Sequence, residues 1–127
     1  MRLALLSVLA LTACATAPAA PLVFNGEASA RIGETARIGD VVIRPVEVLE
    51  DSRCPVDVDC VHAGFFRVRV EIQTAGEHRT ETMELRHGIA LEDARSLRLS
   101  DVTPPRRTDW APAPHDYRLT FTLGPGD

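Results

Sequence analysis

Phe65-Phe66-Arg67-Val68-Arg69-Val70-Glu71-Ile72-Gln73 alternates apolar and polar side chains from its second residue onward. In an extended chain, successive side chains point to opposite faces. Phe66, Val68, Val70 and Ile72 therefore share one face, and Arg67, Arg69, Glu71 and Gln73 the other. This is the pattern of a strand with one buried and one wetted side, as antiparallel sheets use. The last strand repeats it, with Tyr117, Leu119, Phe121 and Leu123 inward against Arg118, Thr120 and Thr122. Val41 to Leu49 is a longer apolar run, and Pro45 within it implies an edge or a bulge, because proline has no N–H to give a ladder. Ala75-Gly76-Glu77-His78 separates Ile72 from a strand at Thr80 to Arg86, which reads as a hairpin. Ser96 to Val102 is a further strand ended by Pro104-Pro105. Shorter candidates lie at Leu22 to Asn25 and Thr35 to Ile38. Leu91 to Arg95 has the length of one helical turn, and residues 104 to 116, with four prolines and Trp110, read as an ordered loop. The expected fold is all-β: an Ig-like antiparallel β-sandwich of about seven strands, with a partly open β-barrel as the alternative.

The 127 residues suit one domain and exclude a two-domain enzyme with its own cofactor domain. A net charge of −4 argues against a nucleic-acid partner. All 14 basic residues are arginine, which excludes Schiff-base or other lysine-dependent catalysis.

Working outward to the amino terminus, Met1-Arg2 is a short positive region and Leu3 to Leu11 an apolar run of nine broken only by Ser7. Nine residues in a helix rise about 13 Å, less than half of a ~30 Å hydrocarbon core. The length matches the apolar core of a secretory signal peptide instead. Leu11-Thr12-Ala13-Cys14 then resembles the lipobox of bacterial lipoproteins. The resemblance implies cleavage after residue 13, thioether-linked diacylglycerol on Cys14 and acylation of the new amino terminus. The alternative is a plain secretory signal cut at a later Ala-x-Ala site. On the lipoprotein reading, residues 1–13 are the signal peptide, 14–21 a lipidated cysteine with an Ala/Pro tether, and 22–127 the β-sandwich domain. Several acyl chains would hold the protein firmly in a bilayer. Ala15 stands where many inner-membrane lipoproteins carry aspartate, so the analogy places this chain in the outer membrane, facing the periplasm.

Export to an oxidising compartment makes Cys54 and Cys60 the natural disulfide pair, and accounts for an odd cysteine count once Cys14 carries lipid. Asp51-Ser52-Arg53-Cys54-Pro55 through Cys60-Val61-His62-Ala63-Gly64 resembles the D-S-R-C-P…C-x-x-x-G signature of a group of small, uncharacterised bacterial lipoproteins. Their usual aromatic is replaced here by His62. The likeness covers most of residues 33 to 123, and the group carries no assigned activity, so it implies fold and compartment but no catalytic residues. Gly64 is expected to provide a positive-φ turn into the next strand.

Sharper readings of the same residues fare less well. Thiol oxidoreductases favour C-x-x-C at a helix start, whereas five residues separate Cys54 from Cys60 in a strand-rich context. Cys54, Cys60 and His62 could supply metal ligands, yet no metal-site spacing surrounds them. Asp51, Asp57 and Asp59 lack the remaining ligands of a calcium loop, and no G-x-S-x-G motif is present. Asp51 and Arg53 are expected to shape the loop through an Asx-type hydrogen bond and arginine pairing. Trp110 and Tyr117 read as core anchors, with ligand contact as the alternative. Asp51, Arg53, His62 and Trp110 are the candidate binding loop. The resulting expectation is a non-enzymatic, lipid-anchored envelope protein without cofactor or metal. It would bind an envelope protein, polymer or small ligand; the alternative is a redox or metal-handling protein using Cys54, Cys60 and His62.

Overall fold

The structure, a computed structural model, describes residues 26–126. The expected signal peptide, Cys14, the expected tether and the expected strand at Leu22 to Asn25 lie outside the described residues. Eight strands follow in order: β1 (Gly26–Arg31), β2 (Ala36–Ile38), β3 (Val41–Asp51), β4 (Phe66–Gln73), β5 (His78–Glu84), β6 (Gly88–Ala90), β7 (Arg95–Thr103) and β8 (Arg118–Pro125). They form two four-stranded antiparallel sheets, β1-β8-β7-β6 and β2-β3-β4-β5, packed as a sandwich and not closed into a barrel. Neighbours in each sheet are neighbours in sequence, except that β1 pairs with β8. The chain is therefore a meander folded into two layers.

The period-two faces meet between the layers. Phe66, Val68, Val70 and Ile72 from one sheet, and Leu97, Leu99, Leu119 and Phe121 from the other, are at most 1% exposed. Fully burying a side chain of this kind contributes roughly 1.5–3 kcal/mol. On the wet face of the β2-β3-β4-β5 layer, charges pair across strands. Arg44 faces Glu71, Arg69 faces Glu47, and Arg67 lies between Glu50 and Glu84, in each case at opposed register positions. Such exposed pairs add little stability individually, but a one-residue slip would break all of them while turning the apolar face outward.

Pro45 sits where β3 needs no donor. It is fully buried, β2 has already ended opposite Ile43, and the β3–β4 register shifts between Pro45 and Glu47. The expected bulge is present. Two short strands, β1 and β6, have too little alternation to be legible in sequence. Leu91 to Arg95 is not a helical turn but a tight turn between β6 and β7. The Leu91 N–H donates to the Arg95 carbonyl at 2.8 Å, and Ala94 takes a φ of 65°. A hairpin closed from both sides leaves those groups no helical partners.

Strand polarity separates the two ends of the sandwich. Gly26 pairs with Leu123 at one end, together with the turns after β2, β4 and β6. Arg31 pairs with Arg118 at the other, where the β3–β4 and β7–β8 loops emerge.

Candidate functional site

The β3–β4 loop carries the disulfide signature, and each of its distinctive residues has a physical task. Cys54 and Cys60 are bonded, with Cα atoms 5.9 Å apart. Ser52 ties the neck of the loop. Its N–H donates to the Phe65 carbonyl at 2.8 Å, and its Oγ accepts from the Phe65 N–H at 2.9 Å. Gly64 lies against this neck, but its φ is not positive, contrary to expectation. Glycine is needed there for a different reason: a Cβ at Gly64 would sit 1.5 Å from the Ser52 carbonyl oxygen. The restriction is close approach of two backbone segments.

Asp51 and Arg53 hold this loop to the proline-rich one. Arg53 Nε and Nη2 donate to the two oxygens of Asp51 at 2.8 and 2.9 Å, a bidentate pair in which both side chains are largely buried. Arg53 also donates to the Val102 carbonyl from Nη1 and to the Pro104 carbonyl from Nη2, each at 3.1 Å. Its guanidinium stacks 5.3 Å from the Phe66 ring centroid. The Tyr117 hydroxyl donates to Asp51 Oδ2 at 2.8 Å. Burial works to raise the Asp51 pKa, but the hydrogen bonds from Arg53 and Tyr117, with the Arg53 charge, outweigh it and hold the carboxyl below its ordinary value. Burial and the hydrogen bond to Asp51 push the Tyr117 hydroxyl up to about 12. The predicted Asx-type local bond is thus an Arg53–Asp51–Tyr117 network that reaches across both sheets.

Further contacts make the two loops one body. Arg106 Nη1 donates to the Arg53 carbonyl at 3.1 Å, the Val56 N–H donates to the Arg106 carbonyl at 2.9 Å, and Thr108 donates to Asp57 from both its N–H and its hydroxyl. In the chain-entropy model, a bridge closing seven residues adds about 2 to 2.5 kcal/mol. Reduction, or the Cys54→Ala/Cys60→Ala pair, is expected to lower stability by that amount in urea denaturation while the sandwich still folds. Loss of the folded state would show that the staple carries more than its loop entropy.

The candidate binding residues are not gathered into one cluster. Asp51 and Trp110 line the same cleft of about 590 Å³, bounded also by Pro55, Pro112 and Tyr117. Arg53 lines a second cleft, of about 340 Å³, beside Phe65 and Phe66. His62 is exposed in the disulfide loop and lines neither. Of the two aromatic anchors, Tyr117 is in the core at 6% exposure and Trp110 is outside it at 45%. Among the described residues, no group of three or more histidine, cysteine, aspartate or glutamate side chains converges as a metal site would.

Composition alone did not single out the most unusual surface feature of this end. Six large apolar side chains are exposed among the described residues, and five belong here: Val56 at 64%, Val58 at 46%, Val61 at 93%, Phe65 at 46% and Trp110. The Asp57-Val58-Asp59 alternation gave the available signal, since it places valines in a polar loop that has no core to enter. The chain matches no protein family, no curated protein and no solved structure.

Proposed function

We propose that this protein is a non-enzymatic binding module of the bacterial envelope, anchored through acylated Cys14 and engaging its partner with the disulfide end of the sandwich. The observation that carries this reading is the gathering of Val56, Val58, Val61, Phe65 and Trp110 at one end. Apolar side chains concentrated on one surface, backed by a stapled and hydrogen-bonded scaffold, are the signature of an interaction site rather than of random exposure. Rigidity supports it further, because a preorganised loop loses little entropy on association. The anchor is the lipobox reading of Leu11 to Cys14. Gly26, where the described chain begins, lies at the end opposite these loops, which supports a binding face directed away from the anchoring bilayer.

Site-specific photocrosslinking in cells tests the proposal, with the probe at Val61 or Trp110 and, as a control, at Thr122 on the β1-β8-β7-β6 sheet. Discrete crosslinks are expected from the loop end alone, and they should disappear when Val56→Ser and Val58→Ser are introduced together. Equal crosslinking from Thr122 would remove the assignment of this end. Metabolic labelling with a fatty-acid analogue should tag the parent and not Cys14→Ser; an untagged parent would remove the anchor.

A further inference from the structure

We propose that the 340 Å³ cleft beside the disulfide loop receives the carboxyl terminus of an apolar peptide, with Arg86 and Arg106 holding the carboxylate. This rests on the binding-module reading and gives part of that surface a ligand class.

Three arginines line the cleft, and their engagement differs. Arg53 is committed to Asp51 and to two carbonyls, as described above. Arg106 places Nη1 on the Arg53 carbonyl and makes no ion pair among the described residues. The Arg86 guanidinium has neither an ion pair nor a hydrogen bond among the described residues. Its backbone, by contrast, is fixed. Arg86 has a φ of 69°, in the left-handed region that non-glycine residues seldom occupy. Its N–H donates to the Leu99 carbonyl at 2.7 Å, and the neighbouring Leu85 N–H donates to Phe66 at 3.0 Å. A sterically unfavoured backbone, held on both sides, mounts an unpaired cation at the wall of a cleft. Such constrained positions concentrate at binding and catalytic sites.

The remaining lining narrows the ligand. Val56, Phe65, Leu85 and Pro105 offer apolar surface to a side chain. Glu84 is taken up by Arg67 at 3.1 Å, which leaves Asp101 as the carboxylate at the cleft without an ion pair among the described residues. Two available guanidiniums against one carboxylate make the cleft locally cationic on a chain of net charge −4. A polyanion would meet that opposing field, whereas a single carboxylate fits the planar donor fork of arginine. Asp101 is exposed on β7 and can accept a hydrogen bond, and a peptide terminus brings an amide N–H to offer it. A fatty acid has none and would leave Asp101 against an alkyl chain. The volume lies at the lower end of the roughly 300–1,000 Å³ usual for small-ligand clefts, which suits the last residues of a chain rather than a domain.

The test uses the full chain in detergent micelles and two probes: an N-acetylated apolar tripeptide with a free carboxyl terminus, and the same peptide amidated. Saturable shifts of the Phe65, Leu85 and Arg86 amide resonances are expected with the free acid, with about tenfold weaker binding of the amide. Arg86→Gln should weaken the acid by about tenfold and leave the amide unchanged, tenfold corresponding to ~1.4 kcal/mol. Acid and amide binding alike, or an unaffected acid in Arg86→Gln, would overturn the carboxylate site. Equal binding with shifts at Val56 and Phe65 would leave the broader apolar surface standing. No saturable shift with either peptide overturns this inference as well, and crosslinking from Val61 then decides the broader reading separately.

Discussion

Gly64→Ala is expected to cost on the order of 4 kcal/mol, at the upper end of what single substitutions do. The added methyl would lie 1.5 Å from the Ser52 carbonyl oxygen, 2.2 Å from its carbon and 3.0 Å from the Arg53 nitrogen. All three are backbone atoms, so no rotamer change can clear the space. Relief requires spreading the loop neck, which breaks the Ser52–Phe65 hydrogen bonds and displaces Arg53 from its partners. Domains of this size have only about 5–15 kcal/mol in total, and each kcal/mol moves the melting temperature by about 4–8 °C. A fall of roughly 20 °C should follow, or a failure to accumulate folded protein. Two other glycines calibrate the result. Gly33→Ala meets no atom within 4 Å but sits at φ 85°, so it should cost about 1–2 kcal/mol from backbone strain alone. Gly124→Ala meets neither obstacle and should be close to neutral. If Gly64→Ala melts within a few degrees of the parent, the close approach is not a constraint on the fold.

The contrast between two kinds of residue explains what was legible in the sequence. Phe66 to Ile72 and Tyr117 to Leu123 announce their strands because each side chain's burial follows from its own position in a period-two pattern. The antiparallel sandwich follows from these alternations, the Pro45 bulge from proline's missing N–H, and the Cys54–Cys60 staple from the oxidising compartment that the lipobox resemblance implies. Gly26 to Arg31 forms a strand because β8 offers it an edge, and its own Ser29, Ala28 and Ala30 carry little pattern. The site depends still more on distant partners. Pairing of Arg53 with a carboxylate and carbonyls is legible locally, but not which carbonyls, since those partners lie 49 and 51 residues away. Local spacing singles out Gly64 but suggests a positive φ, because a backbone contact with Ser52 leaves no trace in it. Arg86 carried no signal at all: an arginine in a polar turn looks like any other until its backbone and its lack of partners are known.

Arg53→Ala is expected to cost about 3–5 kcal/mol and to invert the pH dependence of the Asp51 carboxyl. Removing the guanidinium leaves a largely buried carboxylate with Tyr117 as its remaining side-chain partner, and strips donors from the Val102 and Pro104 carbonyls. Breaking one side of such a pair is expensive because the other charge stays behind. Arg53→Lys should rescue little, since an ammonium cannot reproduce the planar fork to Asp51 together with both carbonyls. In the parent, Asp51 has a folded pKa below its unfolded value. Its contribution is therefore present above about pH 4, where the unfolded carboxyl ionises, and is lost as pH falls through the folded pKa. Without Arg53, burial outweighs the remaining Tyr117 hydrogen bond and favours the protonated acid, so the folded pKa rises above the unfolded one. Stability of Arg53→Ala should then increase as pH falls from 7 toward 4, while the parent stays level over that range and declines below it. Urea denaturation of Arg53→Ala and of Arg53→Ala/Asp51→Asn across pH 3–7 isolates the effect, because the other carboxylates are common to both. The difference between the two variants should shrink toward low pH. A difference that is constant with pH would show that Asp51 is not the buried charge Arg53 neutralises.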